Sequence, residues 1–240
     1  MKTPKGLREH QKLLDLANAN TSYLDKLKPF SKFNRNGLDV ALSTRHASEL
    51  SKEDMEFCFN LTKTNMETIR SLTSAVDDFR TCTALLKRYN ASSWGWSDQR
   101  KRTELKEDTA RFLLARSQSS ADGAPGQLVA FVHFRFDFES TADEAQIPVI
   151  YCYEIQLSEP VQRKGLGKFM MQIIELIGIQ EKMLKSMLTV FQANTSAIKF
   201  YRTILNYEID EISPSQCDDD EADYEILSKR LPHRASLTGK

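Results

Sequence analysis

The segment VQRKGLGKFMMQIIELIG, residues 161–178, places small and basic residues directly before an apolar helical pattern. Its chemistry-bearing residues are two glycines and three cations: Gly165, Gly167, Arg163, Lys164 and Lys168. Glycines let a backbone approach a ligand closely, and the free amides at a helix N-terminus bind phosphate-like anions. The Walker A sequence is absent, and Met170 stands where a dinucleotide-binding fingerprint would need a third glycine. The turn is therefore either a pyrophosphate-binding cradle or a solvated turn at the end of a strand.

Glu154 is the candidate for proton transfer, because it lies within the largely apolar strand pattern PVIYCYEIQL just before this turn. A carboxylate there could remove a proton from an amine, or it could be hydrogen bonded to a structural donor. An α-amino group has a reference pKa of about 7.7 to 8.0, against about 10.4 for lysine, so deprotonating it needs little basicity. Cys152 alternates with Glu154, but no histidine partner is evident in the sequence, so no covalent cysteine intermediate is expected.

Acidic residues form two further candidate features. Asp137 and Glu139 follow the strand pattern HFRFDFE and share one face through its period of two. They are either a solvated strand end or a pair of acceptors for a guanidinium or ammonium group. The stretch from 208 to 225 carries nine acidic residues and no lysine or arginine. It is expected to include a solvated, mobile loop whose negative field would attract a basic partner.

The elements that must position these residues follow from the hydrophobic periodicity. Residues 7–28 predict an amphipathic, partly ordered helix, and Ser51 with Asp54 predicts the start of a long helix. After residue 108 the period changes to two, and ARFLLAR, LVAFVHFRFDF and PVIYCYEIQL predict three strands of one sheet. A helix over 167–181, the strand SMLTVF, the helix NTSAIKFYRTIL and two closing strands follow. This order predicts an α+β fold with a mixed, mostly antiparallel central sheet flanked by helices.

Composition limits the classes of protein. The 240 residues contain 33 basic and 33 acidic side chains, so no global field would hold the protein on nucleic acid or an anionic membrane. Four well-separated cysteines argue against a disulfide framework or a zinc site, and no metal is expected. The N-terminus has no apolar signal region, and a soluble intracellular protein is expected. His133, in a predicted core strand, is expected to be a satisfied core residue.

Gln162-x-x-Gly165-x-Gly167, between a strand and a helix, resembles the acetyl-CoA signature of the Gcn-five-related N-acetyltransferases. A closer resemblance links LTKTNM, SWGW, HFRFD, YCYEIQL, RKGLGKF, MLTVF and DYEIL to the histone-specific N-terminal acetyltransferases of that superfamily. It covers most of residues 35–230. The resemblance implies an N-acetyltransferase domain over 35–230. The helical extension over residues 1–34 departs from the family, and residues 231–240 are expected to form a C-terminal tail.

The resemblance also assigns roles to individual residues. Glu154 would be the general base, and Tyr201 would be a candidate proton donor to the departing thiolate, unless it only packs in the core. The cofactor-binding positions would be Ile155, Gln156, Leu157, Arg163, Lys164, Gly165, Leu166, Gly167, Lys168 and Asn194. The peptide-binding positions would be Tyr89, Trp94, Asp137, Glu139, Tyr151, Tyr153, Thr189 and Tyr224. Trp96, in the same loop as Trp94, is expected to be core.

The activity implied by the resemblance is transfer of acetyl from acetyl-CoA to the free α-amino group of histones that begin Ser-Gly-Arg-Gly. The implied partners are acetyl-CoA and histone N-terminal tails, in nucleus and cytoplasm, without direct nucleic acid, membrane or an obligatory auxiliary subunit. Two alternatives stay open. A lysine-directed or small-amine acetyltransferase would share the cofactor turn, but it has no evident need for the acids and aromatic residues. A non-catalytic acyl-CoA-dependent module that binds histone tails is disfavoured by the presence of Glu154.

Overall fold

The computed structural model describes residues 5–74, 96–118, 126–217 and 222–232. The centre of this part of the chain is an eight-stranded sheet in the order β1-β2-β3-β4-β5-β6-β8-β7. Its strands are β1 (Lys32–Arg35), β2 (Leu38–His46), β3 (Arg111–Ser117), β4 (Leu128–Ser140), β5 (Gln146–Leu157), β6 (Lys185–Phe191), β7 (Glu208–Ile209) and β8 (Tyr224–Arg230). Neighbouring strands are antiparallel except β5 and β6, which are parallel. The predicted α+β fold with a mixed, mostly antiparallel sheet is confirmed.

Helices cover both faces of the sheet. They are α1 (Lys5–Ala19), α2 (Lys52–Ser74), α3 (Asp98–Leu105), α4 (Leu166–Gln180) and α5 (Thr195–Lys199), the last continuing into a π-helical turn at Phe200–Ile204. Side-chain caps define two of the starts, because the Ser51 hydroxyl accepts from the Asp54 amide at 3.0 Å and the Ser97 hydroxyl accepts from the Arg100 amide at 3.3 Å. Among the helices described, none is long and apolar enough to cross a membrane.

Each face of the sheet has its own hydrophobic cluster. On one face, residues such as Phe134 of β4 pack with α1, α4 and the π-helical turn. On the other face, Phe59 of α2 and Leu105 of α3 pack with Phe112 and Phe131. Because side chains alternate along a strand, β3 and β4 each contribute residues to both clusters. The candidate proton-transfer group and the acids of β4 lie on the second face, covered by α2 and α3.

The N-terminal helix α1 is built into the first cluster. Leu14 and Ala17 are buried against the sheet, and Tyr23 just beyond the helix is fully buried. Arg111 of β3 donates to the Tyr23 hydroxyl at 3.1 Å and to the Asn18 carbonyl at 2.8 Å. Each fully buried large apolar side chain contributes about 1.5 to 3 kcal/mol. This segment therefore stabilises the sheet. The amphipathic helix predicted over residues 7–28 is present only as α1, which ends at Ala19; a turn and a short 3-10 helix at Asp25–Phe30 follow it.

A bulge in β5 orients the centre of the sheet. Phe134 of β4 lies opposite Cys152, whereas the preceding His133 lies opposite Glu154, so Tyr153 is an extra residue on β5. A bulge bends its strand and increases the local twist, which re-aims the neighbouring side chains. Glu154 is thereby placed opposite His133, on the face covered by α2 and α3.

The parallel strands β5 and β6 separate in the middle of the sheet. Their recorded pairing runs over Val149–Cys152 and Lys185–Leu188. Beyond it β5 continues to Leu157 beside β4, and β6 continues to Phe191 beside β8. The two strands thus diverge into a cleft with a backbone edge on each side. Because β5 ends just before the glycine turn, the cleft runs from Glu154 toward the start of α4.

Candidate active site

Glu154 lies at this cleft and is held by donors on both oxygens. Its Oε1 accepts from the Lys101 ammonium of α3 at 2.8 Å, and its Oε2 accepts from Gln156 Nε2 at 2.8 Å. The apolar strand pattern gives no sign of this cation, which stands 53 residues earlier in the chain. Glu154 is therefore hydrogen bonded to structural donors, which was one of the two interpretations that the sequence left open. Its side chain also keeps 13% exposure, through which a substrate amine can reach it.

A chain of hydrogen bonds connects Glu154 to α2. Asn65 Nδ2 donates to Gln156 Oε1 at 2.8 Å and to the Leu157 carbonyl at 3.3 Å, while Gln156 donates to Glu154. The Gln162 side chain also donates to the Leu157 carbonyl, at 2.8 Å. The side chain of Gln156 is thus engaged by protein groups. Any contact of this segment with a cofactor would fall mainly to its backbone.

A buried cluster of polar and aromatic groups adjoins Glu154. His133 is fully buried and stacks on Phe112 and Tyr153, with ring centroids 5.2 Å and 5.1 Å away. Arg135 Nε donates to His133 Nε2 at 3.3 Å, and burial, followed by this cation, lowers the pKa of His133 well below its ordinary value. The ring is therefore neutral. Within the described ranges His133 Nδ1 has no hydrogen-bond partner. The prediction that His133 is a buried core residue is confirmed, but the prediction that its hydrogen bonds are satisfied is wrong.

Asp137 and Glu139 continue along the same face of β4, beyond Arg135. Asp137 is exposed and accepts from the Phe138 amide at 2.8 Å, while Glu139 is half-buried and accepts from the Ser140 amide at 3.1 Å. Burial raises the pKa of Glu139 above its ordinary value, and the Asp137 carboxylate adds to this effect. A cation bound here would offset both the burial of the Glu139 charge and its repulsion by Asp137. The two acids therefore have the electrostatics of a cation-binding site.

Aromatic side chains line β5 near Glu154. The Tyr151 hydroxyl and Thr189 Oγ1 lie 2.5 Å apart and join β5 to β6 where the cleft opens. Tyr153 is 39% exposed, and its ring lies 5.3 Å from that of Tyr151 and 4.2 Å from the Arg135 guanidinium carbon. The arrangement brings Tyr151, Tyr153 and Thr189 of the predicted peptide-binding set together beside Glu154.

The remaining predicted peptide-binding residues are less fully described. Tyr224 begins β8 opposite Phe191, at the end of β6, and is half-buried. Tyr89 and Trp94 lie outside the described residues. Trp96, predicted to be core, is half-buried at the edge of the second cluster and donates its indole N–H to Asp98 at 2.5 Å.

The glycine turn has the geometry of an anion cradle. Gly165 caps α4 with φ of 87°, a left-handed conformation that residues with a Cβ rarely adopt. The Phe169 amide donates to the Gly165 carbonyl at 3.1 Å, so the amides before it in the first turn have no intrahelical acceptor. Asn36, in the β1–β2 turn, donates to the Lys164 carbonyl at 2.9 Å and braces the turn. Three basic side chains are exposed around it: Arg163, Lys164 and Lys168.

The space around Gly167 indicates whether the turn could accommodate a ligand. A Cβ added there would meet Leu157 and Phe200 only at ordinary contact distances of 3.7 Å. The packing of the protein itself therefore does not require glycine at this position. Close approach of a ligand to the α4 backbone explains it, and the cations, the free amides and the adjoining cleft fit a pyrophosphate joined to a long chain.

Three other predicted participants have defined surroundings. Asn194 caps α5, its Oδ1 accepting from the Ala197 amide at 3.1 Å. Tyr201 is buried in the first cluster, and burial raises the pKa of its hydroxyl well above its ordinary value, so the hydroxyl stays protonated. Burial likewise raises the pKa of the Cys152 thiol, which lies 3.8 Å from the sulfur of Met171. A buried protonated thiol is a poor nucleophile, consistent with transfer that avoids a covalent cysteine intermediate.

Three residues of the site escaped the sequence analysis: Lys101, Asn65 and Asn36. Lys101 lies in the helix DQRKRTEL, whose dense charges are typical of a solvated surface. Asn65 lies within a long helix, and Asn36 lies in a turn, where this residue type is common. Only the pairing of distant elements reveals what each side chain contacts. The LTKTNM motif, which contains Asn65, was the nearest available signal.

Solved structures with similar folds include several acetyltransferases. PaiA N-acetyltransferase from Thermoplasma acidophilum in complex with coenzyme A is 15% identical, with a TM-score of 0.48, covering 79% of this chain and 99% of that chain. Arabidopsis thaliana NAA60 in complex with a bisubstrate analogue is 10% identical, with a TM-score of 0.46, covering 80% and 100%. Ard1 from Thermoplasma volcanium is 15% identical, with a TM-score of 0.45, covering 80% and 99%.

The sequence itself gives the more direct assignment. The model of the acetyltransferase (GNAT) family matches residues 78–207, which is more than half of the chain. The matched segment contains β3 to β6, the cleft between β5 and β6, Glu154 and the glycine turn. The chain therefore belongs to the acetyltransferase (GNAT) family.

Proposed function

We propose that this protein acetylates the free N-terminal α-amino group of histones that begin Ser-Gly-Arg-Gly, histone four and histone two-A, using acetyl-CoA. The sequence resemblance is to N-alpha-acetyltransferase D, the histone-specific enzyme of this superfamily. The observation that carries the proposal is one face of the β4–β5 pair. It holds Glu154 at the cleft, exposed Tyr153 beside it, and the acids Asp137 and Glu139 further along β4. This face suits a peptide with a cationic amino end and a second cation nearby.

Acetyl-CoA would supply the activated acyl group as a thioester. Its pyrophosphate would be held by the first-turn amides of α4 and by the side chains of Arg163, Lys164 and Lys168. Its pantetheine arm would lie along the β5 backbone from Ile155 to Leu157, beyond the pairing with β6. The thioester would then lie close to Glu154, where β5 and β6 begin to diverge.

The transfer step needs a neutral amine. Glu154 would accept the proton that the substrate ammonium releases, directly or through a water molecule. The amine nitrogen then attacks the thioester carbonyl carbon, so that a C–N bond forms and the C–S bond breaks. The departing thiolate takes a proton, for which Tyr201 is the candidate donor. The nitrogen loses its second proton to solvent as the amide forms, and solvent reprotonates the tyrosine. Backbone amides near the thioester stabilise the oxyanion formed on the way.

The spacing along β4 suits an arginine at the third position of the peptide. Asp137 lies four residues beyond His133, the residue opposite Glu154, which is about 13 Å along a strand. Two residues of extended peptide span about 7 Å, and the long arginine side chain supplies the remainder. An arginine there can therefore reach Asp137 while the amino end lies at Glu154, and Glu139 lies two residues further along β4. A charge-assisted pair would fix both the register and the orientation of the peptide.

A lysine-directed acetyltransferase is the main competitor. Steady-state kinetics with two peptides of the same sequence, Ser-Gly-Arg-Gly-Lys, one free and one blocked at the amino end, separates the two activities. We expect coenzyme A release with the free peptide and none above background with the blocked peptide. Equal rates would show that the lysine is the acceptor. Binding of both acetyl-CoA and peptide without turnover would instead support a non-catalytic module.

A further inference from the structure

Lys101 is the cation closest to the proposed base. Its ammonium lies 2.8 Å from Glu154 Oε1 and 2.8 Å from Glu104 Oε1, and its side chain is 18% exposed. Burial alone would lower the pKa of Lys101, but the Glu154 and Glu104 carboxylates outweigh it and raise the pKa above its ordinary value. The side chain therefore stays charged and bridges two carboxylates.

Other cations near the α2–α3 layer have different partners. Lys63 pairs with Asp98 at 2.9 Å, and Arg102 pairs with Glu56. Arg135 pairs with Glu107, and buried His133 is neutral. In the described parts of the chain, Lys101 is the only cation recorded in an ion pair with Glu154. Removing it would leave Gln156 as the remaining side-chain donor to this carboxylate among the described residues.

The two donors to Glu154 act on different oxygens. Lys101 holds Oε1 from α3, whereas Gln156 holds Oε2 from β5 and is itself fixed by Asn65 of α2. Two donors on separate atoms fix both the position and the rotation of a carboxylate, which one donor cannot do. A displacement of about 1 Å in a reacting group can cost about a hundredfold in rate. The Lys101 contact is thus placed to control the rate of proton transfer.

The local charge count also matters. Lys101 is shared by two carboxylates, so the three groups carry one net negative charge when all are ionised. An α-ammonium arriving at Glu154 would neutralise that excess. Lys101 therefore keeps the carboxylate oriented without fully cancelling the attraction for a cationic substrate, because Glu104 takes part of its charge.

We propose that Lys101 is a positioning residue for acetyl transfer, fixing the Glu154 carboxylate for proton removal from the substrate amine. The proposal rests on the proposed role of Glu154 as the base. Lys101 would affect the chemical step and not acetyl-CoA binding, because it lies on α3, whereas the cofactor turn lies at the start of α4. Loss of Lys101 should therefore lower kcat while the affinity for acetyl-CoA stays unchanged.

The first test compares Lys101→Met, Lys101→Arg and the matched control Lys63→Met. Lys63 also forms an ion pair between α2 and α3, with Asp98, but it does not contact Glu154. We expect Lys101→Met to lower kcat by about 10- to 100-fold and Lys101→Arg to recover to within about threefold of the native rate. The control should keep native kcat. Calorimetric titration with acetyl-CoA should give the native affinity for each variant.

A double-mutant cycle with Glu154→Gln decides whether Lys101 acts through Glu154. If it does, Lys101→Met should change kcat by less than about twofold once Glu154 is already glutamine. Equal losses in both backgrounds would overturn the proposal, as would a higher kcat/KM in Lys101→Met, which would mean that the ammonium competes with substrate. If Lys101→Met has a depressed melting temperature, Lys101→Gln gives the same comparison with a polar side chain.

The outcomes also separate this proposal from the proposed function. Near-native kcat in Glu154→Gln alone would contradict the assignment of the base itself. A slow Glu154→Gln enzyme with additive loss on Lys101→Met would contradict only the positioning role. A slow Glu154→Gln enzyme that is insensitive to Lys101→Met, with rescue by arginine in the native background, supports both.

Discussion

The acids at the end of β4 give the sharpest prediction about specificity. Replacing Asp137 and Glu139 together by Asn and Gln removes both charges while it keeps side-chain size. A hydrogen bond to a charged group is worth about 1.5 to 3 kcal/mol, which is about 10- to 150-fold in affinity. Asp137 is exposed and Glu139 is half-buried, so each lost contact should cost about the lower value, which is about tenfold. We therefore expect kcat/KM for a Ser-Gly-Arg-Gly peptide to fall by about a hundredfold, mainly through KM.

The assay is a cycle of two enzymes and two peptides. The native enzyme and the double variant are each measured with Ser-Gly-Arg-Gly and with Ser-Gly-Ala-Gly peptides. The alanine peptide should be a poor substrate for the native enzyme, and it should lose less on mutation because its arginine contact is already missing. Equal losses with both peptides would refute the reasoning. The acids would then serve folding or a general negative field, for which the region 208–225 is the larger source.

Three further predictions concern the base, the cofactor turn and stability. Glu154→Gln should lower kcat by about 10² to 10⁴ and leave calorimetric acetyl-CoA affinity intact, so a near-native rate at neutral pH would contradict its role. Gly165→Val should weaken acetyl-CoA binding, because φ of 87° is strained for valine and the turn would shift. Gly6→Val is the control and should keep the native affinity, since no atom lies within 4 Å of an added Cβ there. Glu139→Gln should raise the melting temperature at pH 7.5. Because the pKa of Glu139 is raised in the folded protein, its negative charge destabilises the fold above the unfolded-state pKa of about 4.3, and this cost disappears below that pH. The gain in melting temperature should therefore vanish near pH 4. An equal gain at both pH values would contradict this cause.

Much of the fold could be predicted because its signals are local. The alternating pattern of LVAFVHFRFDF specifies a strand with one face toward each cluster, and the predicted helix over 167–181 corresponds to α4 at Leu166–Gln180. Asn36 and Gly37, in the β1–β2 turn, are residue types that tolerate the positive φ that both adopt. Glu154 and the glycine turn were found for the same reason, since a carboxylate in an apolar strand and two glycines before a helix are unusual within a short window.

The rest of the site depends on register and on contacts across the chain. No sequence pattern predicts the bulge at Tyr153, yet this bulge places Glu154 opposite His133. The separation of β5 from β6 follows from how each strand pairs on its other side. Lys101 reaches Glu154 only because α3 packs over β5. A periodicity analysis treats each element alone, so it can propose a base but cannot predict which groups hold it.

The central claim is that the acceptor is an α-amino group, and one measurement tests it most directly. A peptide that begins Ser-Gly-Arg-Gly and carries a lysine further along is incubated with acetyl-CoA and the native protein. Tandem mass spectrometry then locates the added acetyl group within the product. The account predicts a single acetyl group on the amino-terminal serine nitrogen and an unmodified lysine. Acetyl on the lysine with a free amino terminus would contradict it.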